Sequence, residues 1–207
     1  MTPSEAASGL SVGSARDDHQ ERPPVWLAGE LPARYAEIFA EIDALKQEAH
    51  RIEEMGSLLW QTGVPLVYAV RNAFASMGFS TEVAERPASY DVGVHLDRGH
   101  RLLVHVAALS DVVDRTSPKI TQILQTLQFD ATEQDRVVFI VNAHYNKPFQ
   151  DRPDPVTSDA LKLIAGLGAI LMTTSTLYAA LTYSLRDLTD ARKIVNNLHG
   201  FLGGLYK

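Results

Sequence analysis

The stretch Leu-Leu-Val-His-Val-Ala-Ala-Leu, residues 102–109, constrains this chain more than any other feature. It is apolar at almost every position, so a strand here is covered on both faces and belongs at the centre of a sheet. The flanking patterns agree. Residues 90–96 place Tyr90, Val92, Val94 and Leu96 on one face, and Asp97-Arg98-Gly99-His100 reads as the hairpin turn between the two runs. Residues 79–85 alternate as an earlier strand. Ser117-Pro118 opens a helix carried by Ile120, Ile123, Leu124, Leu127 and Phe129, with Ser117 suited to the N-cap. A buried strand over 137–141 follows, then a polar loop over 142–155, a helix over 158–167 and a short strand over 169–172. Helices over 175–186 and 190–202 complete the chain, and Gly203-Gly204 ends the last one. Alternation of strand and helix after a hairpin predicts an α/β fold with a mixed central sheet flanked by helices.

A different period precedes this domain. Leu31, Tyr35, Ile38, Ile42, Leu45, Ala49, Ile52, Gly56 and Leu59 stand alternately four and three apart, a heptad register that predicts a long N-terminal helix with a coiled-coil seam. Phe39, Met55 and Leu58 widen the stripe, so packing on the chain's own domain competes with self-association through residues 31–59. Gly63 and Pro65 break the pattern, and Leu66, Val70, Phe74 and Met77 mark a second helix that stops at Gly78. Residues 1–29 lack an apolar period and read as a disordered tail, with Trp26 and Leu27 as its only large apolar pair. The expected organisation is a tail over 1–29, a helical arm over 30–60 and an α/β domain over 61–207.

Charge narrows the partners. The net charge is −6, and residues 1–60 carry 5 Lys and Arg against 11 Asp and Glu, while the remainder carries 14 of each. An acidic front on a neutral body predicts weak or no binding of random nucleic acid, which needs clustered cations. No apolar run approaches the ~18 residues of a membrane span, and residues 1–24 show neither a basic start nor an apolar core of a signal peptide. The expectation is a cytoplasmic chain without membrane contact. The absence of cysteine removes disulfides, thiolate metal sites and thiol nucleophiles.

Several short segments resemble one family. Leu58-Leu59-Trp60-Gln61-Thr62-Gly63 before a helix, Gly78-Phe79, Tyr90-Asp91, and Leu102 through Ala107 together resemble the PD-(D/E)XK domains of restriction-endonuclease-like fold. Val141-Asn142 to Arg152-Pro153 and Leu171-Met172-Thr173-Thr174 extend the resemblance over about residues 57–188. The resemblance implies an Asp at the hairpin start, then Glu or Asp, any residue, and Lys on the next strand. Two carboxylates would hold a divalent cation, and strand alternation would bring the lysine to the same face to help activate water. The first acid is Asp91, but His105 holds the second acid position and Ala107 the lysine position. Where many relatives carry a helix acid, this chain has Leu66-Val67-Tyr68. Lys119 offers a migrated lysine, its commoner role being a solvated first-turn residue.

The leading reading is thus a catalytically degenerate nuclease-like domain, not an enzyme, that serves as a binding, regulatory or scaffolding protein for an unknown protein partner and needs no cofactor. One alternative is a divergent metal-dependent nuclease using Asp91, His105 and Lys119. In it, Asp91 and His105 hold a softer metal such as Mn²⁺ or Zn²⁺. Another is a nucleotide or small-ligand sensor whose cleft lies near Asp91 and Thr174, because Thr173-Thr174-Ser175-Thr176 sits between a strand and a helix where hydroxyls and N–H groups hold anions. Counted from Gly99, Asp91 lies eight residues before the turn and His105 six after, nearly opposite across the hairpin. A hydrogen bond between them would raise the His105 pKa above about 6.5. His95 is expected at the surface or on the other face, His100 in the turn, and Asn142, His144, Asn146 and Lys147 as a solvated loop or a cleft wall.

Overall fold

A computed structural model describes residue 27, residues 30–85 and residues 88–206. The tail expected over 1–29 lies, apart from Leu27, outside the described residues, as does Trp26. The chain divides into two units, Met1–Leu45 and Lys46–Lys207. Helix α1 (Ala33–Gly56) is 24 residues long, and Tyr35, Ile38, Phe39, Ile42 and Leu45 are exposed along its first part. Its last turns and the short 3₁₀ turn Ser57–Leu59 belong with the second unit, where Leu58 is buried and Met55 packs on the core.

In the second unit, α2 (Gly63–Ser76) precedes β1 (Ser80–Val83), β2 (Val92–His95) and β3 (Arg101–Leu109), and α3 (Pro118–Gln125) leads to β4 (Asp135–Ala143). Then come α4 (Ser158–Gly166), β5 (Ile170–Thr173), α5 (Thr174–Ser184), α6 (Leu188–Asn197) and β6 (Gly204–Tyr206). The six strands lie side by side in sequence order. The first two pairings are antiparallel and the last three parallel, which makes the sheet mixed.

The period of two in a strand sorts the core into two layers. Val104, Val106, Val138, Ile140, Ile170 and Met172 face α2, α5 and α6, while Leu103, Phe139, Val141 and Leu171 face α3 and α4. β3 pairs with β4 over its full length on one edge and with β2 over residues 101–104 on the other, and both its faces are covered. The apolar run over 102–109 reflects this position.

Two expectations need correction. The helix opened by Ser117-Pro118 does not keep one face as far as Phe129, because α3 stops at Gln125 and a π-helical turn follows over Thr126–Asp130. Its wider winding, closed by the Ala131 N–H on the Thr126 carbonyl at 2.8 Å, shifts the helical phase and leaves Phe129 73% exposed. The last helix ends at Asn197, and Gly203-Gly204 does not terminate the fold but starts β6. Gly203 at φ +108 passes so close to the Ala169 carbonyl that a Cβ would stand 3.1 Å from it, which only glycine accommodates.

At the base of the sheet, Arg101 on β3 donates to both carboxylate oxygens of Asp135 on β4, at 2.9 and 2.8 Å, and Thr132 donates twice to the same carboxylate. Asp135 is 5% exposed. Burial works to raise its pKa, but the Arg101 and Thr132 bonds outweigh it and hold the carboxyl below its ordinary value. A depressed carboxyl pKa contributes stability that is present above the unfolded pKa and is lost as pH falls through the folded one. Asp135→Asn should therefore cost about 2 kcal/mol at pH 7 and less below pH 4, measured by urea unfolding across that range.

Candidate functional site

Asp91 stands just before β2, where β3 runs on past the end of its partner. The Asp91 N–H donates to the Val104 carbonyl at 2.9 Å, and the Asp91 Oδ2 accepts from the Val106 N–H at 2.7 Å. A side chain thus supplies the acceptor that β2 no longer provides. Lys119, in the first turn of α3, donates from Nζ to the same Oδ2 at 2.6 Å. The two side chains are 22% and 27% exposed, so Lys119 is a partner of the sheet rather than a solvated residue. Ser117 occupies the N-cap position without capping, because its hydroxyl instead bonds Asp114, whose carboxylate also takes the Thr116 N–H and hydroxyl. That local knot fixes where α3 begins, and with it the reach of Lys119.

His105 is fully buried and shares a 2.9 Å hydrogen bond between Nε2 and the Thr126 hydroxyl of the π-helical turn. The ladder Val92↔Val104 and His95↔Arg101 centres the hairpin on Arg98, not Gly99, so its continuation sets Asp91 directly opposite His105. Both side chains meet the α3 layer, yet they take separate partners. The expected Asp91–His105 hydrogen bond is replaced by the Lys119 and Thr126 bonds, and the expected rise in the His105 pKa is reversed. Burial pushes it down to about 4, the Lys119 ammonium adds to that, and the carboxylates of Asp91 and Asp130 oppose it without winning. The imidazole is neutral at pH 7, and its Nδ1 has no partner among the described residues.

A cleft of ≈ 560 Å³ opens beside the ion pair, walled by Tyr68 of α2, by Tyr90 and Asp91, and by Lys119, Gln122 and Gln125 of α3. Gln122 and Gln125 follow Lys119 at intervals of three and form the polar face of a helix whose apolar face alone was read from the sequence. Tyr68 lies in the segment where relatives of the resembled family carry an acid. Burial and the neighbouring Glu82 raise the Tyr90 pKa, so its phenol keeps its proton. Ala107 adds no polar group.

A hard divalent cation needs several oxygen ligands. The positions that would hold it offer one carboxylate, whose Oδ2 already accepts an ammonium and an N–H, plus a buried imidazole committed to Thr126 and a methyl group. These residues do not fit such an ion, and among the described residues no group of three His, Asp or Glu side chains is placed to hold a metal.

The other candidates lie elsewhere. Thr174 and Ser175 line a separate cavity at the start of α5, so a single cleft spanning Asp91 and Thr174 is not formed. Asn142 is fully buried and His144 is 5% exposed, which corrects their reading as solvated loop residues. Arg152 pins this loop down by donating to Asn142 Oδ1 at 2.7 Å and to the Leu59 carbonyl at 2.6 Å. His95 faces Glu82 at the surface, and His100 stacks on His199 with ring centroids 3.7 Å apart. No protein-family model matches the chain, and no curated protein is significantly similar to it.

The depressed His105 pKa links stability to pH. Its stabilising effect is fully present above the unfolded value near 6.5 and is lost as pH falls toward the folded value of about 4. His105→Gln should lose about 3 kcal/mol less between pH 7 and pH 4 than the parent chain. In NMR titration, Lys119→Met should raise the His105 pKa and Asp91→Asn should lower it; a His105 titrating at or above 6.5 contradicts this account.

Proposed function

We propose that the second unit is a nuclease-like domain that has exchanged metal chemistry for a fixed ion pair and now acts as a binding scaffold. The observation that carries this reading is Lys119 Nζ at 2.6 Å from Asp91 Oδ2. An ammonium there neutralises the carboxylate and occupies the place where a divalent cation would have to approach it. The order α2, β1, β2, β3, α3, β4 supports the kinship, and so does the position of Asp91 before β2. His105, neutral and bonded to Thr126, supports loss of the second ligand.

The same contact favours one rival. A lysine migrated onto α3 and aimed at the sheet acid is also what a divergent nuclease using Asp91, His105 and Lys119 requires. The two readings differ in whether a second anionic ligand is needed, and the chemistry of Mg²⁺ says that it is. The full chain should show no cleavage of single- or double-stranded DNA or RNA with Mg²⁺ or Mn²⁺. Cleavage abolished by Asp91→Ala and by Lys119→Met establishes the rival.

The scaffold reading assigns self-association to α1. Ile38, Leu45 and Ile52 alternate with Tyr35 and Ile42 along its exposed stripe, and in a parallel pair Glu41 of one copy would meet Lys46 of the other. Light scattering should give a dimer or larger for the full chain, and Ile42→Lys should reduce the mass to that of a smaller species. An unchanged mass removes α1 from the interface.

A further inference from the structure

The edge of β3 that faces β2 is covered only in part. Pairing with β2 ends at Val92↔Val104, and one step further the Asp91 carboxylate takes the Val106 N–H. The chain before Asp91 does not continue the ladder, because the Ser89 N–H turns to Asp130 Oδ2 at 3.0 Å. β3 itself runs on to Leu109. We propose that an extended peptide of a partner protein adds here as a strand, in line with β2, on the open edge around Ala108.

Alternation along the strand identifies the open groups. The Val104 carbonyl accepts from the Asp91 N–H and the Val106 N–H donates to the Asp91 carboxylate, so the even-numbered residues of β3 direct their main-chain groups to this edge. The Leu109 carbonyl goes the other way, to the Tyr145 N–H after β4 at 3.3 Å. Among the described residues, the Val106 carbonyl and the N–H and carbonyl of Ala108 find no partner on the open edge. Burial changes at the same place, since residues 102–106 are buried and residues 107–109 are only partly covered. An unpaired edge of this kind is a template for another chain. One donor and two acceptors at strand spacing match the main chain of an extended peptide, whatever its side chains.

The surroundings define the side chains. A residue set opposite Ala108 shares its face of the sheet, the face covered by α2. Ala108 pairs with Asn142, whose side-chain amide donates to the Gln61 carbonyl at 3.2 Å, so the start of α2 lies above this end of the sheet. Trp60 and Val64 stand on either side of Gln61 in the chain and are 62% and 66% exposed. An apolar side chain of the peptide would cover them. Just past β3, Asp111 is exposed and forms no ion pair among the described residues, so it would meet a Lys or Arg. In line with β2, the peptide runs antiparallel to β3, which puts that cation toward its N-terminal end. The occupant is therefore extended, apolar at alternate positions and basic at one end.

The proposal names the kind of partner that the scaffold reading needs, and rests on that reading for its role. The two fail separately: cleavage of nucleic acid would end the scaffold reading with the Ala108 edge still open, whereas an edge that takes no peptide leaves the Lys119–Asp91 pair intact.

The probe is a phage-displayed library of random decapeptides selected on the full chain, and the peptide recovered most often is titrated into the ¹⁵N-labelled full chain. It should carry apolar residues two apart and shift the Val106 and Ala108 amides. In the free chain the Ala108 amide should exchange with solvent faster than the Leu109 amide, and the peptide should slow it about tenfold or more. Ala108→Pro removes the open N–H and no bond to β4, so it should keep a folded spectrum while weakening the peptide about tenfold or more. Val64→Glu, an exposed change, should weaken it as well. An Ala108 amide already as slow as that of Leu109, protection that depends on protein concentration and so marks a second copy, or unchanged affinity in both variants overturns the proposal. So does a library that yields no peptide, or one whose peptides shift the groove between Met55 and Leu185 instead.

Discussion

The domain is organised by the burial of β3 on both faces, with β4 along the whole of one edge and β2 along part of the other. A strand so placed cannot hide a charge on either face without a partner, and its neighbours must supply helices above and below. Alternation then decides which residues of β3 meet which layer: Val104 and Val106 pack on α2 and α5, while Leu103, His105 and Ala107 meet α3 and α4. The candidate site is therefore the α3 side of β3 at the point where β2 ends. There Asp91 serves both as a ladder acceptor and, among the described residues, as the one anion lining the cleft.

Electrostatics follow from that geometry. One carboxylate is balanced by one ammonium, and both lie near an imidazole kept neutral by burial. The Asp91–Lys119 pair is neutral in itself, unlike a two-carboxylate metal site, where excess negative charge must be matched from outside.

Much of the fold was legible because apolar period is a direct consequence of burial. Residues 102–109 named the central strand, Val92 and Val94 its hairpin partner, and Leu66, Val70 and Phe74 the buried face of α2. The π-helical turn after Gln125 was not legible, since its extra residue leaves no compositional mark. β6 was missed because three residues after a glycine pair carry no period, and the glycines signal a stop as readily as a turn. At the site, Asp91 and Lys119 could be singled out but not joined, because reach across α3 depends on where the Asp114–Ser117 knot starts the helix. The His105 pKa went the other way from expectation because desolvation depends on coverage by the π-helical turn, which the sequence does not reveal.

The claim at the centre of this account is that the Lys119 ammonium takes the place of a metal beside Asp91. The most direct measurement is anomalous diffraction at the manganese edge from crystals of the full chain soaked in Mn²⁺ near pH 7. The account predicts no manganese peak within coordinating distance of Asp91 and an unbroken Lys119–Asp91 contact. A manganese ion on the Asp91 carboxylate, with Lys119 swung away and His105 turned to ligate it, would contradict it.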